Sequence, residues 1–117
     1  MIHMAHGSRL HWGFVGNAQN LAVGEWQIAR VYSVLNRPEP ALYHAKRSVQ
    51  IAEDNHFEGF YLASAYEGMA RALATANDSS ASAFVAKARA IAQNIREADD
   101  RALIESDLAT IEVPPER

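Results

Sequence analysis

The chain has 117 residues, of which 49% are hydrophobic, no cysteine and a formal net charge of -3. That length holds one domain with a real core, the hydrophobic share argues against disorder, and the missing cysteine removes disulfides, thiolate metal sites and cysteine nucleophiles together. No stretch approaches the ~20 apolar residues of a membrane span, no basic region precedes an apolar run at the N-terminus, and no basic surplus offers a footprint for nucleic acid, so the expectation is a cytoplasmic protein without membrane or nucleic-acid partners.

Residues 1–16 read as an N-terminal helix, with Ile2, Ala5, Ser8 or Arg9, and Trp12 at helical spacing. Nothing caps it at residue 1, which points to a truncated chain or a missing upstream partner helix. Gly13, Gly16 and Asn17 form the first break, with Asn17 as N-cap of the next helix. Over residues 18–35, Leu21, Gly24 or Glu25, Ile28, Val31 or Tyr32, and Leu35 trace one face. Asn36 stands where the chain must leave that helix, and Asn tolerates the left-handed conformation of a helix end.

Pro38 and Pro40 fit the first turn of a third helix, where amides have no intrahelical partners to lose. Its stripe is Ala41, Ala45, Ser48 and Ala52, and it ends near Asp54 and Asn55. A fourth helix over residues 58–76 carries Leu62, Ala65 or Tyr66, Met69, Leu73 and Ala76, and Asn77 closes it as Asn36 closed the second. Asp78 or Ser79 caps a fifth, with Ala81, Phe84 or Val85, Ala88, Ile91 or Ala92, and Ile95 facing inward. Asp99 caps a sixth, thinner in its stripe of Ile104, Leu108 and Ile111, and Pro114 and Pro115 stop it.

Two of these hairpins are copies. Ala29, Arg30 and Asn36 recur 41 positions later as Ala70, Arg71 and Asn77, whereas the second helices match better at 40. A helical hairpin cannot bury its own apolar face, so copies stack and share a core. With Ile28, Ala29, Tyr32, Ala41, Ala45 and Ser48 near the patterned positions, and Asn36 where glycine is usual, the chain resembles the tetratricopeptide-repeat family over residues 24–95. Stretches such as AHGSRLHW and AYEGMARALA are also similar to bacterial proteins of repeat-like helical type. The resemblance implies an all-α, antiparallel helical-hairpin array of five to six helices wound as a right-handed α-α superhelix. It divides residues 1–117 into an N-terminal helix (1–16), a first hairpin (17–56), a second hairpin (57–98) and a C-terminal capping helix (99–113).

In that geometry the first helix of each hairpin lines a concave face, and its outward positions are Trp26, Arg30 and Ser33 in one unit and Glu67 and Arg71 in the next. The two arginines then make a fork for carboxylates or phosphates, with Trp12 and Trp26 as an aromatic wall. The competing reading is local: Glu67 and Arg71 are an i,i+4 pair, and Arg30 lies over Trp26 one turn earlier. His3 and His6 share a helical spacing but lack a third ligand in register, so no metal is expected; Ser8, Ser33, Ser48 and Ser64 lack a base in register, so no nucleophile is either. The function that follows is a non-enzymatic, cofactor-free protein-interaction module that takes a protein or peptide partner, acidic in character, or a second copy of itself. A second class is a small-molecule or enzymatic pocket between the N-terminal helix and the second and fourth, built from His11, Trp12, Trp26, Tyr32 and Tyr66.

Overall fold

The computed structural model describes residues 14–115, with side chains from residue 18 onward. The described residues form five α-helices and no strand: α1 (Phe14–Val34), α2 (Pro38–Asp54), α3 (Gly59–Thr75), α4 (Ala81–Ala92) and α5 (Ala98–Ala109). Consecutive helices pack as hairpins, α1 with α2 and α3 with α4. The first helices α1 and α3 also touch each other, and α5 lies on α3 and α4.

Three of the connections share one device. Asn36, His56 and Asn77 have φ of 57°, 54° and 58°. At Asn36 the amides of Asn36 and Arg37 donate to the carbonyls of Ser33 and Tyr32, at 3.0 and 2.8 Å, and the same paired bonds recur around His56 and Asn77. This double closure satisfies the carbonyls that a helix leaves unpaired at its end. The asparagines do what their type suggested, whereas His56 takes the same conformation without that signal. Replacing Asn36 by alanine is expected to cost about 1 kcal/mol, the steric penalty of a left-handed Cβ, and Asn36→Gly none; thermal unfolding of the two variants reads the difference.

Three helix starts differ from the sequence reading, those expected to be capped by Asn17, by Asp78 or Ser79, and by Asp99. Asn17 is not a cap, because α1 begins at Phe14 and runs through Gly16 and Asn17. Asp78 and Ser79 do not cap α4 from outside its first residue; instead Asp78 Oδ1 accepts from the Ser80 amide at 2.9 Å and hydroxyl at 2.7 Å. Those bonds shape the turn before the helix and hold the Asp78 carboxyl below its ordinary range. Asp99 sits inside the first turn of α5, next to Asp100, where acids face the positive end of the helix.

The core is built largely of alanine. Ala41, Ala45, Ser48 and Ala52 of α2 are all buried, and forty positions on so are Ala81, Val85, Ala88 and Ala92 of α4. Small side chains on both partners let the helices approach closely and interlock. The stripe read for α1 is only partly inward: Ala22, Glu25 and Ala29 are buried, but Val31 and Leu35 are 50% and 60% exposed. The α1 face that meets α2 is the small one, and the larger apolar residues lie beside it.

Candidate functional site

Two acids are buried to 1% exposure, Glu25 and Glu67, and each organises a junction between helices. A carboxylate taken from water must be met by cations or hydrogen-bond donors. Glu25 on α1 is met by α2: Arg47 Nε donates to Oε2, and His44 Nδ1 lies 3.2 Å from Oε1. The hydrogen bond to Glu25 holds the Arg47 guanidinium above its ordinary pKa. Tyr32 stacks on the His44 ring with centroids 5.9 Å apart, and Tyr43 meets it edge-on at 5.0 Å.

Glu67 on α3 faces the other way. Its Oε1 accepts from the Trp26 indole N–H at 3.0 Å, and its Oε2 from Arg71 Nε at 2.8 Å. Trp26 and Glu67 are 41 residues apart, which is the repeat offset, so the same position of the two units meets itself when α1 and α3 lie side by side. Gly68 makes room for this contact: a Cβ there would stand 2.7 Å from Trp26 Cδ1.

Arg71 continues the network onto α5. Its Nη2 donates to the Asp107 carbonyl at 2.9 Å and to Thr110 Oγ1 at 2.8 Å. Arg30 pairs with the carboxylate of the same residue, Nη1 to Asp107 Oδ2 at 3.3 Å. The two arginines therefore do converge as a fork, and what they hold is the chain's own C-terminal helix.

This changes the expected binding face. Glu67 and Arg71 were read as outward groups on a concave surface; Glu67 is buried and Arg71 is engaged by α5. The cause is the docking of α5, whose Ile104 and Leu108 are buried in one cluster with Ala63, Ala70, Val85 and Ala88. Trp26 is likewise tied down through its N–H. Ser33 lines a cleft with Arg71, Thr110 and Val113, and its buried hydroxyl has no hydrogen-bond partner among the described residues. Trp12, His11, His3 and His6 lie outside the described residues.

The three residues of the alternative pocket that are described, Trp26, Tyr32 and Tyr66, turn to different partners. Tyr32 stacks on His44, Tyr66 packs on Phe84 at 5.9 Å, and Trp26 turns to Glu67. The Tyr66 hydroxyl donates to Glu53 Oε2 at 2.9 Å, and burial together with that bond pushes its pKa up.

What remains open lies at the rim of the closed face. A groove of about 630 Å³ runs between α1 and α5, lined by Trp26, Gln27, Arg30, Val31, Val34, Leu35, Leu103 and Asp107. Val34 is 76% exposed and Leu103 48%. Of these, Trp26 and Arg30 were legible as candidates; Val34 and Leu103 were not, because they gain meaning only once α5 is placed beside α1. No helix among the described residues is long and apolar enough to cross a membrane. Comparison of the chain with known protein families, curated proteins and solved structures finds no match.

Proposed function

We propose that the chain is a non-enzymatic protein-interaction module, a short tetratricopeptide-like array that receives an amphipathic helix of a partner protein in the groove between α1 and α5. The observation that carries this reading is the exposure of Val31, Val34, Leu35 and Leu103 around one groove. Contiguous apolar surface of this kind on a small protein marks a place where something docks. Helix-in-groove recognition reads apolar anchors spaced along one helical face, which suits a groove walled by residues of two helices.

Charge supports an acidic partner. The Arg30 side chain is 37% exposed, and its one ion-pair partner among the described residues, Asp107, is reached through a single nitrogen. A guanidinium carries five N–H donors, so a partner carboxylate finds donors beside an apolar wall. The buried acids Glu25 and Glu67 are both consumed in pairing helices, which favours a structural role for them over acid–base chemistry.

The test is retention of proteins from native lysate by the immobilised chain, compared with Val34→Asp plus Leu103→Asp and with Ala86→Asp on exposed α4 surface. Both changes fall at exposed positions, where effects on stability are small, usually within about 0.5 kcal/mol. A partner lost with the groove pair and kept with the α4 variant supports the reading. A partner kept by all three overturns it, as does concentration-dependent self-association in sedimentation that the groove pair abolishes. Arg71→Ala is unsuited to this comparison, since it also loosens α5.

A further inference from the structure

A cleft of about 670 Å³ opens where three helix ends meet, the start of α3, the end of α4 and the start of α5. Phe60, Leu62 and Ile91 give it an apolar lining, and Tyr61, 36% exposed, joins them. The Tyr61 ring meets Phe60 edge-on, with centroids 6.0 Å apart and planes at 82°. Arg101 holds the link between α4 and α5, its Nη1 donating to the Ile95 carbonyl at 2.8 Å. This cleft shares no lining residue with the groove between α1 and α5, so a partner at one is independent of a partner at the other.

The charge around the apolar lining has one sign. Glu58, Glu97 and Asp100 border the cleft against a single cation, Arg96. Acids at helix starts ordinarily serve the helix itself, as caps or through its dipole. Glu58 and Glu97 hold the N-cap positions of α3 and α5, yet neither side chain makes a capping hydrogen bond. None of the three acids is in an ion pair among the described residues. The N-termini of α3 and α5 offset about half a charge each, and the C-terminus of α4 returns about half. Three carboxylates outweigh these terms and Arg96 together, so the cleft is negative on balance.

We propose that this cleft docks an arginine-bearing basic segment of a partner protein. A guanidinium pairs with a carboxylate through two parallel N–H bonds and stacks on an aromatic face. Both acceptors are here, since the Tyr61 ring and the carboxylates line one cleft. Lysine carries the charge without the plane. The apolar lining takes the residues that flank the arginine in the segment, which a free amine lacks, and this favours a peptide over a small cation. The cleft is thus the counterpart of the α1–α5 groove, with the opposite preference in charge.

The probe is a fluorescein-labelled heptapeptide, Gly-Leu-Arg-Ala-Leu-Arg-Gly, titrated with the full chain and read by fluorescence anisotropy. Its counterparts carry citrulline, which keeps the shape and loses the charge, or lysine at both arginines. The expected result is saturable binding of the arginine peptide, weakened about fivefold by citrulline and about fivefold by Glu58→Gln with Glu97→Gln, the size of two exposed ion pairs. The lysine peptide binds more weakly than the arginine peptide to the unaltered chain and equally to Tyr61→Leu. Glu39→Gln with Glu105→Gln removes the same charge from exposed positions elsewhere and leaves the affinity unchanged. Circular dichroism checks that each variant keeps its helices. No saturation by about 1 mM, equal affinity for the arginine and citrulline peptides, or an equal loss in the Glu39 and Glu105 control overturns the proposal. A lysine peptide that binds as tightly as the arginine one to the unaltered chain overturns the assignment to arginine. Binding lost with Val34→Asp plus Leu103→Asp and kept with the cleft pair places the peptide in the other groove, which also overturns it. The acidic partner of that groove takes no part in these titrations, so failure here leaves its reading standing.

Discussion

Glu67→Ala is expected to lower the unfolding free energy by about 3–5 kcal/mol, the usual cost of removing one member of a buried charged pair. The carboxylate is 1% exposed and takes hydrogen bonds from Trp26 on α1 and Arg71 on α3. Its removal leaves the indole N–H without an acceptor and frees Arg71, the side chain that holds Asp107 of α5 and Thr110 at its end. Two interfaces loosen at once. Glu67→Gln keeps an acceptor for Trp26 and gives up only the charge, so its loss is expected to be less than half as large. Urea unfolding followed by tryptophan fluorescence measures both. A domain of this size has about 5–15 kcal/mol of stability in all, so the alanine variant stands near the edge of folding. A loss below about 1 kcal/mol would mean that the Trp26–Glu67–Arg71 chain of contacts does not form.

Ile104→Ala is the second large effect, about 2–5 kcal/mol for truncating a buried aliphatic side chain and leaving a cavity. Ile104 is among the largest side chains below 2% exposure, and α5 has only Leu108 as a second buried anchor. A twelve-residue helix is marginal without tertiary contacts, so the variant is expected to release α5 before the two hairpins unfold. Amide hydrogen exchange separates the cases: in the variant α5 loses protection while α2 and α3 keep theirs.

The helices were legible because their apolar spacing is regular and their ends carry Asn36, Asn77 and paired prolines. The copy of one hairpin in the other was legible too, including the change from 41 to 40, which the structure shows as the matched buried stripes of α2 and α4. The inward face of α1 was read wrongly in part, for a physical reason. Period leaves Gly24 or Glu25 and Val31 or Tyr32 as alternatives and puts Leu35 inside. The structure instead buries Glu25, which Arg47 and His44 meet, packs Tyr32 on the core, exposes Val31 and Leu35, and selects Ala22 and Ala29 for close helix packing. The fork of Arg30 and Arg71 was legible as a pair; its occupant was not. Asp107 is one acid among many near the C-terminus, and nothing in its spacing says that α5 lies on α3 and α4 and meets Arg30 of α1. A signal for the Trp26–Glu67 bond did exist, since residues one repeat apart meet when units stack in parallel.

The central claim is that α5 is held on α3 through Arg71 and so occupies the face on which a partner was expected to bind. Amide hydrogen exchange of the full chain tests it directly, read over residues 101–109 with and without Arg71→Ala. The expected result is protection of those amides on the level of α3 in the unaltered chain, falling toward the unprotected rate in the variant and further than the amides of α2 and α4 fall. Free exchange of residues 101–109 in the unaltered chain, with α1 to α4 protected, would contradict it.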